Sequence, residues 1–372
     1  MNIQLPTSLD QLATPTLLVD VERLERNIAS LADLYATVGV AARPHVKTSK
    51  CWQVASRQLA SGASGFTCST PAEVAWLRRH GVSDLLWAQQ PVGPAKVAFV
   101  VETIRASGPF LVALDSVAAA TPLAEAAVAA GISVPFLIEV DTGHGRAGVA
   151  PERLSQRARE LAALDGLELR GIMTHEGHLA RHVADRARLE DVARRTGEKM
   201  AQLAGELRRD GYRIDIVSVG STPGATSVPL VPGITEARAG TYVYFDANQL
   251  RLGSATLEDC ALTVLSRVIT TQRDGTAIID AGIKAMSSDT IAAAGSLGIV
   301  CDTSNRPLPG VVFGDGNEEH GFLTGPGADA LSVGDIVRIV PNHACGTANM
   351  FGQLYACSGH TAVQRWEISA RH

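Results

Sequence analysis

Lysine is scarce in this chain of 372 residues: Lys47, Lys50, Lys96, Lys199 and Lys284 are the full set among 33 basic side chains. No basic run stands out and the net charge is -5, so a nucleic-acid backbone is not an expected partner. No uninterrupted apolar stretch reaches the roughly 20 residues that span a bilayer. No basic segment followed by an apolar one opens the chain either, so neither a membrane span nor a secretory leader is expected and the cytoplasm is the default location. The six cysteines (Cys51, Cys68, Cys260, Cys301, Cys345, Cys357) lack CxxC spacing. That argues against a disulfide scaffold or zinc knuckle, and most of them read as small buried hydrophobes. A Gly-rich dinucleotide fingerprint is also missing after the first apolar run, which weighs against a doubly wound nucleotide-binding sheet.

What the chain does have is core-forming material, 46% hydrophobic against 19% charged residues, the profile of a folded enzyme. Eight short apolar runs, at 41–47, 65–69, 84–90, 110–115, 135–141, 169–175, 216–221 and 237–245, alternate with stretches of helical periodicity such as 21–35, 71–80, 118–130, 151–164 and 181–210. Eight strand–helix units predict an α/β fold, a (β/α)8 TIM-like barrel over residues 14–250. From 251 to 372 the runs turn β-rich and are separated by Gly, Asp, Asn and Pro, which predicts a second, mainly antiparallel β domain. Residues 1–13 are candidates to join it, and the run Thr14–Asp20 reads as a strand able to cross to it.

In such a barrel chemistry collects at the C-terminal ends of the strands. The first run ends in His45 and Lys47, the third in Gln89 and Gln90, the fifth in Asp141–Arg146, the sixth in Thr174-His175-Glu176-Gly177-His178. An amine at a strand end can form a Schiff base with a carbonyl substrate or with pyridoxal phosphate, although a solvated surface lysine is the simpler alternative for Lys47. Gly220-Ser221-Thr222 and Gly240-Thr241 combine small residues with hydroxyls, as in a phosphate cradle, and also as in ordinary turns. His343 and Cys345 form a His-x-Cys pair at the end of a β run. On an extended segment, residues i and i+2 point to one side, so both could reach one ion, with zinc the best match for imidazole plus thiolate. A buried cysteine beside a surface histidine is the competing reading, and His144, His175, Glu176 and His178 are alternative ligands whose spacing is not diagnostic.

Four ordered motifs, Arg43–Thr48, Asp141–Val149, Val219–Pro223 and Pro341–Cys345, resemble the eukaryotic-type D-serine dehydratase and D-threonine aldolase family, pyridoxal-phosphate enzymes of the alanine-racemase fold. The resemblance implies that Lys47 carries the cofactor and that Ser221, Thr222, Gly240 and Thr241 bind its phosphate. It places Arg146 near the pyridine nitrogen, His175 at or near the ring, and His343 and Cys345 on a divalent metal beside the cofactor, zinc first, with manganese or another divalent ion as the alternative. A homodimer is implied too. Ser49 departs from the Lys-Thr-His-Lys of many relatives, which leaves no role for that histidine here.

The implied reaction removes water from a D-3-hydroxy amino acid (D-serine, D-threonine or threo-3-hydroxyaspartate) to give a 2-oxo acid and ammonia. In that family His-x-Cys goes with dehydratases and His-x-Asp more often with aldolases, so Cys345 favours dehydration over cleavage to glycine and an aldehyde. A racemase has no use for the His343 and Cys345 pair. A carrier that holds pyridoxal phosphate without turnover, a reading from another class, has no use for a second β domain.

Overall fold

The computed structural model describes residues 4–287, 289 and 295–371. Residues 1–3 and 372, which the expected β domain takes in, lie outside them. The chain forms two compact units: Ser30–Lys47, Gln58–Gly240 and Ala370–His372 make one, and Met1–Ala29, Thr48–Arg57 and Thr241–Ser369 the other.

The first unit holds eight parallel strands, Ala41–Ala42, Phe66–Cys68, Leu85–Trp87, Leu111–Leu114, Val134–Glu139, Leu167–Met173, Ile216–Val219 and Glu236–Ala237. The first pairs with the eighth, and neighbours then pair in descending order to the second. A parallel bridge between His45 and Thr67 brings the first and second together, closing the ring. Strands covered on both faces need unbroken apolar runs, and Phe66, Leu86, Val112, Leu114, Phe136, Ile138 and Ile172 are all fully buried. The helices between them begin where their caps dictate. Thr70 Oγ1 accepts the Glu73 N–H ahead of Pro71–Arg79, with proline in the first turn where its missing N–H costs nothing; Ser116 caps Val117–Ala130 and Asp185 caps Arg186–Arg209.

Two of the expected strands shrink to two residues each. The first stops at Ala42, and Val46–Thr48 is a single helical turn. Pro44 has no N–H to give a ladder, and Arg43 is pulled into a buried ion pair with Glu236 (2.6 Å) and a two-pronged one with Asp84 (2.6 and 3.0 Å). The eighth is only Glu236–Ala237, because the Thr241 carbonyl accepts the N–H groups of both Tyr244 and Phe245 and folds the chain back on itself.

In the second unit the strand Thr16–Asp20 lies between Leu262–Arg273, antiparallel, and Gln353–Ser358, parallel. Leu17, Leu18 and Val19 are fully buried there, so the beginning and end of the chain share one sheet. Leu262–Arg273 also pairs with Ile336–Pro341, the strand that delivers His343. Among the described residues no helix is long and apolar enough to cross a membrane.

Candidate active site

The strand ends of the barrel carry a layer of buried charge beneath the polar residues singled out in the sequence. Arg43 bonds to Glu236 Oε2, and Ser218 Oγ donates to Glu236 Oε1 (2.6 Å). Arg238 in turn donates to Ser218 Oγ (2.6 Å) and to the Thr174 carbonyl (2.7 Å). Arg238 is buried and was not among the residues expected at the site. Its signal is a charge inside Glu236-Ala237-Arg238-Ala239-Gly240, one position past a barrel strand. Breaking a buried pair such as Arg43–Glu236 strands the remaining charge, so the network holds its members in place.

Lys47 is half-buried above this layer. Its N–H points to His45 Nδ1 (3.4 Å), and among the described residues its ammonium has no hydrogen bond or ion pair. His45 Nε2 is 3.3 Å from Ser69 Oγ. Since Nδ1 faces a donor, the proton of neutral His45 sits on Nε2. Burial holds His45 well below the ordinary imidazole range, and Lys47, Arg238 and His175 add to the effect. His175 is driven to about 3, first by burial and then by Lys47, Arg146 and Arg238, against the Gly220 carbonyl at 2.7 Å from its Nδ1. The site is therefore cationic without charging its histidines. Arg146 is half exposed, its Nη2 3.6 Å from Glu139 Oε1, and Glu139 also accepts from Gln90 (3.1 Å).

The depressed pKa of His175 has a consequence for stability. Below pH 6.5 the unfolded chain takes up a proton that the folded imidazole resists down to about pH 3. Stability is thus lost as pH falls through that window, and above it the residue contributes nothing to the slope. Urea unfolding between pH 6.5 and 4 is expected to show a slope shallower in His175→Gln than in the wild type by about 1.4 kcal/mol per pH unit.

The turn after the seventh strand has the makings of an anion cradle. Thr222 Oγ1 is buried without a partner. The backbone N–H groups of Ser221, Thr222 and Gly240 have no acceptor among the described residues. Gly220 is required by space, since a Cβ there would stand 2.7 Å from that of Arg238. Unsatisfied buried donors are costly unless a ligand supplies acceptors, and a phosphate monoester does so, hence the cradle and the uncommitted amine of Lys47 fit pyridoxal phosphate.

In the β unit His343 is the N-cap residue of a short helix, Ala344–Met350, so the expected extended His-x-Cys segment is corrected: only His343 is extended, and Cys345 lies in the first turn of the helix. The two side chains still interact, Cys345 raising the pKa of His343. His343 Nδ1 contacts the Asp289 carboxylate, and Asp246 caps Ala247–Arg251 while accepting the Ala344 N–H (2.9 Å). Burial disfavours a proton on His343, yet Cys345, Asp246 and Asp289 raise its pKa to about 10. A surround that favours a proton so strongly also favours a metal cation, and a carboxylate behind a ligating imidazole is the usual support of such a site. Cys345 Sγ lies 3.1 Å from Thr48 Oγ1 and 3.4 Å from Thr241 Oγ1, so Thr241, expected at the phosphate, has its hydroxyl on the sulfur. Among the described residues no three His, Cys, Asp or Glu side chains converge as a metal cluster. Of the alternative barrel ligands only His144 and His175 meet, edge to face with ring centroids 5.4 Å apart: Glu176 is buried on the Gly220 N–H, and His178 Nε2 is 3.4 Å from Thr196 Oγ1.

A parallel barrel with a free lysine, a phosphate-ready turn and a second, antiparallel unit defines a pyridoxal-phosphate enzyme of the alanine-racemase fold. Residues 19–248 match the family model "Alanine racemase, N-terminal domain" and residues 261–357 match "Putative serine dehydratase domain". The chain is 38% identical to the D-threo-3-hydroxyaspartate dehydratase of Delftia sp. (strain HT23), over 96% of this chain and 97% of that one. It is 32% identical to a D-threonine aldolase of Arthrobacter sp, over 98% and 94%. Among solved structures, a D-threo-3-hydroxyaspartate dehydratase with one cysteine changed to alanine, in the metal-free form, superposes with a TM-score of 0.91 at 36% identity, covering 97% of this chain and 98% of that one. The chain belongs to the D-serine dehydratase and D-threonine aldolase family, and like its members it is a lyase.

Proposed function

We propose that the protein is a pyridoxal-phosphate- and zinc-dependent dehydratase of D-3-hydroxy amino acids, with D-threo-3-hydroxyaspartate as the preferred substrate. The observation that carries this reading is the His343 and Cys345 pair, electrostatically coupled to each other and with His343 backed by Asp289: imidazole with thiolate is a donor set for zinc. Lys47 would bind the cofactor through Nζ, and Ser221, Thr222 and Gly240 would hold its phosphate. Bound there, pyridoxal phosphate acidifies the α-carbon of an amino acid, and a zinc ion would assist departure of the β-hydroxyl. The C3–O bond breaks and the hydroxide leaves as water with the α-proton. Hydrolysis of the resulting enamine then returns a water and yields the 2-oxo acid and ammonia. Lys47 Nζ and His175 are the barrel groups able to carry that proton. The dicarboxylate is favoured because Lys47, Arg146 and Arg238 bring positive charge to the site, adding to the burial that depresses His45 and His175.

Incubation of the zinc-loaded holoenzyme with D-threo-3-hydroxyaspartate, D-serine and D-threonine is expected to release ammonia and a 2-oxo acid in equal amounts, fastest from the dicarboxylate. Glycine and an aldehyde without ammonia would make it an aldolase instead.

A further inference from the structure

His175 and Glu176 are consecutive, yet both reach the backbone of one residue on the neighbouring strand end, each through a different one of the two peptide groups that flank Gly220. The Gly220 N–H donates to both oxygens of Glu176 (2.9 and 3.2 Å), and the Gly220 carbonyl is 2.7 Å from His175 Nδ1. We propose that this pair clamps Gly220 through the two peptide groups on either side of its Cα. In this arrangement Glu176 is a positioning residue that presets the phosphate turn, and His175 is locked as the tautomer whose Nε2 accepts protons. The inference rests on the reading of Ser221 and Thr222 as phosphate ligands.

A carbonyl can only accept, so the proton of His175 must sit on Nδ1. The ring is neutral, because burial opposes a second proton and Lys47, Arg146, Arg238, His45 and His144 surround it with cations or further imidazoles. Nε2 is then a bare lone pair, opposite in tautomer to His45. Gly220 leads directly into Ser221 and Thr222, so gripping its N–H and C=O fixes the plane from which the next two N–H groups project. The clamp is also a close fit: no side chain is tolerated at Gly220, because a Cβ would press on Arg238. A carboxylate beneath an anion cradle would repel phosphate if its role were charge. Burial raises the pKa of Glu176 and so weakens that objection, while Arg238 partly offsets the shift. Geometry is what the carboxylate supplies, and a carboxamide oxygen can accept the same N–H.

The test uses the full apo chain titrated with pyridoxal phosphate and, separately, with pyridoxal, alongside NMR of the wild type carrying 15N-labelled histidine. Glu176→Ala is expected to weaken pyridoxal phosphate binding by about 10- to 100-fold and pyridoxal binding by no more than about twofold, whereas Glu176→Gln stays within a few-fold of wild type for both. The His175 signals, assigned by their loss in His175→Gln, are expected to show a protonated Nδ1 and a bare Nε2. Damage in Glu176→Gln equal to that in Glu176→Ala, equal loss of both ligands in Glu176→Ala, or a proton on Nε2 would overturn the clamp. If the wild type itself shows no preference for the phosphorylated ligand, the phosphate reading fails first; a preference that survives Glu176→Ala unchanged fails the clamp alone.

Discussion

Lys47→Ala is expected to lower kcat by roughly 10⁴- to 10⁶-fold, the range seen when the covalent group of an enzyme is removed. The expectation follows from the state of the amine. Half-buried, while the nearby Glu236 carboxylate is already committed to Arg43 and Ser218, it has no partner among the described residues. A surface lysine would give up little on replacement, and a structural one would leave an orphaned carboxylate behind; neither applies here. Borohydride reduction of the holoenzyme should fix the cofactor on the peptide that contains Lys47, and on none in the variant. Retained activity, or label on Lys50 instead, would remove Lys47 from the chemistry. Lys50 is the sensible control because it lies three residues on and its Nζ is already bonded to Asn349 Oδ1 (3.0 Å).

The second large effect is expected at Cys345. Cys345→Ala removes one of two proposed ligands and deprives the Thr48 and Thr241 hydroxyls of the sulfur they bond. The purified variant should hold well under one zinc per chain. Dehydration should fall by about 10³-fold, the rate equivalent of several kcal/mol of charge stabilisation at a departing oxygen. Chelation of the wild type should reproduce the loss, and added zinc should restore the wild type but not the variant. Cys345→Asp is more informative, since an oxygen donor keeps the site bidentate but suits harder cations such as manganese. Its product ratio is expected to move from ammonia toward glycine and aldehyde. Full dehydration with no bound metal in Cys345→Ala would show that the pair is structural.

Legibility in the sequence varied with how local the deciding physics is. The barrel strands were visible as apolar runs because a strand covered on both faces must be apolar throughout, and the runs at 66–68, 85–87 and 111–114 lie within those expected. The two that shrank to two residues are those where a long-range polar contact or a tight turn at Thr241 interrupts the ladder. Arg43 is drawn to Glu236, a residue 193 positions away, and nothing near Arg43 in the sequence announces it. The His-x-Cys pair was read from the sequence with a local geometry that the fold does not keep. Its spacing suits a strand, whereas the chain starts a helix at Ala344, where Asp246, 98 residues earlier, takes up the freed N–H.

The sequence by itself determined the alternation of strands and helices, the family motifs and the chemical types at the strand ends, because periodicity and residue chemistry are written in order along the chain. Tertiary structure alone decided which of those groups are engaged. Glu176, open in the sequence to a role as metal ligand, is bound to Gly220. Thr241 has its hydroxyl on Cys345, and Arg238 emerged beside Arg43 as a buried cation at the barrel's strand ends. The physical reason is that hydrogen bonding, burial and the field of neighbouring charges are set by residues distant in sequence, and those interactions decide whether an amine stays free, which nitrogen of a histidine carries its proton, and where a cofactor finds unsatisfied donors.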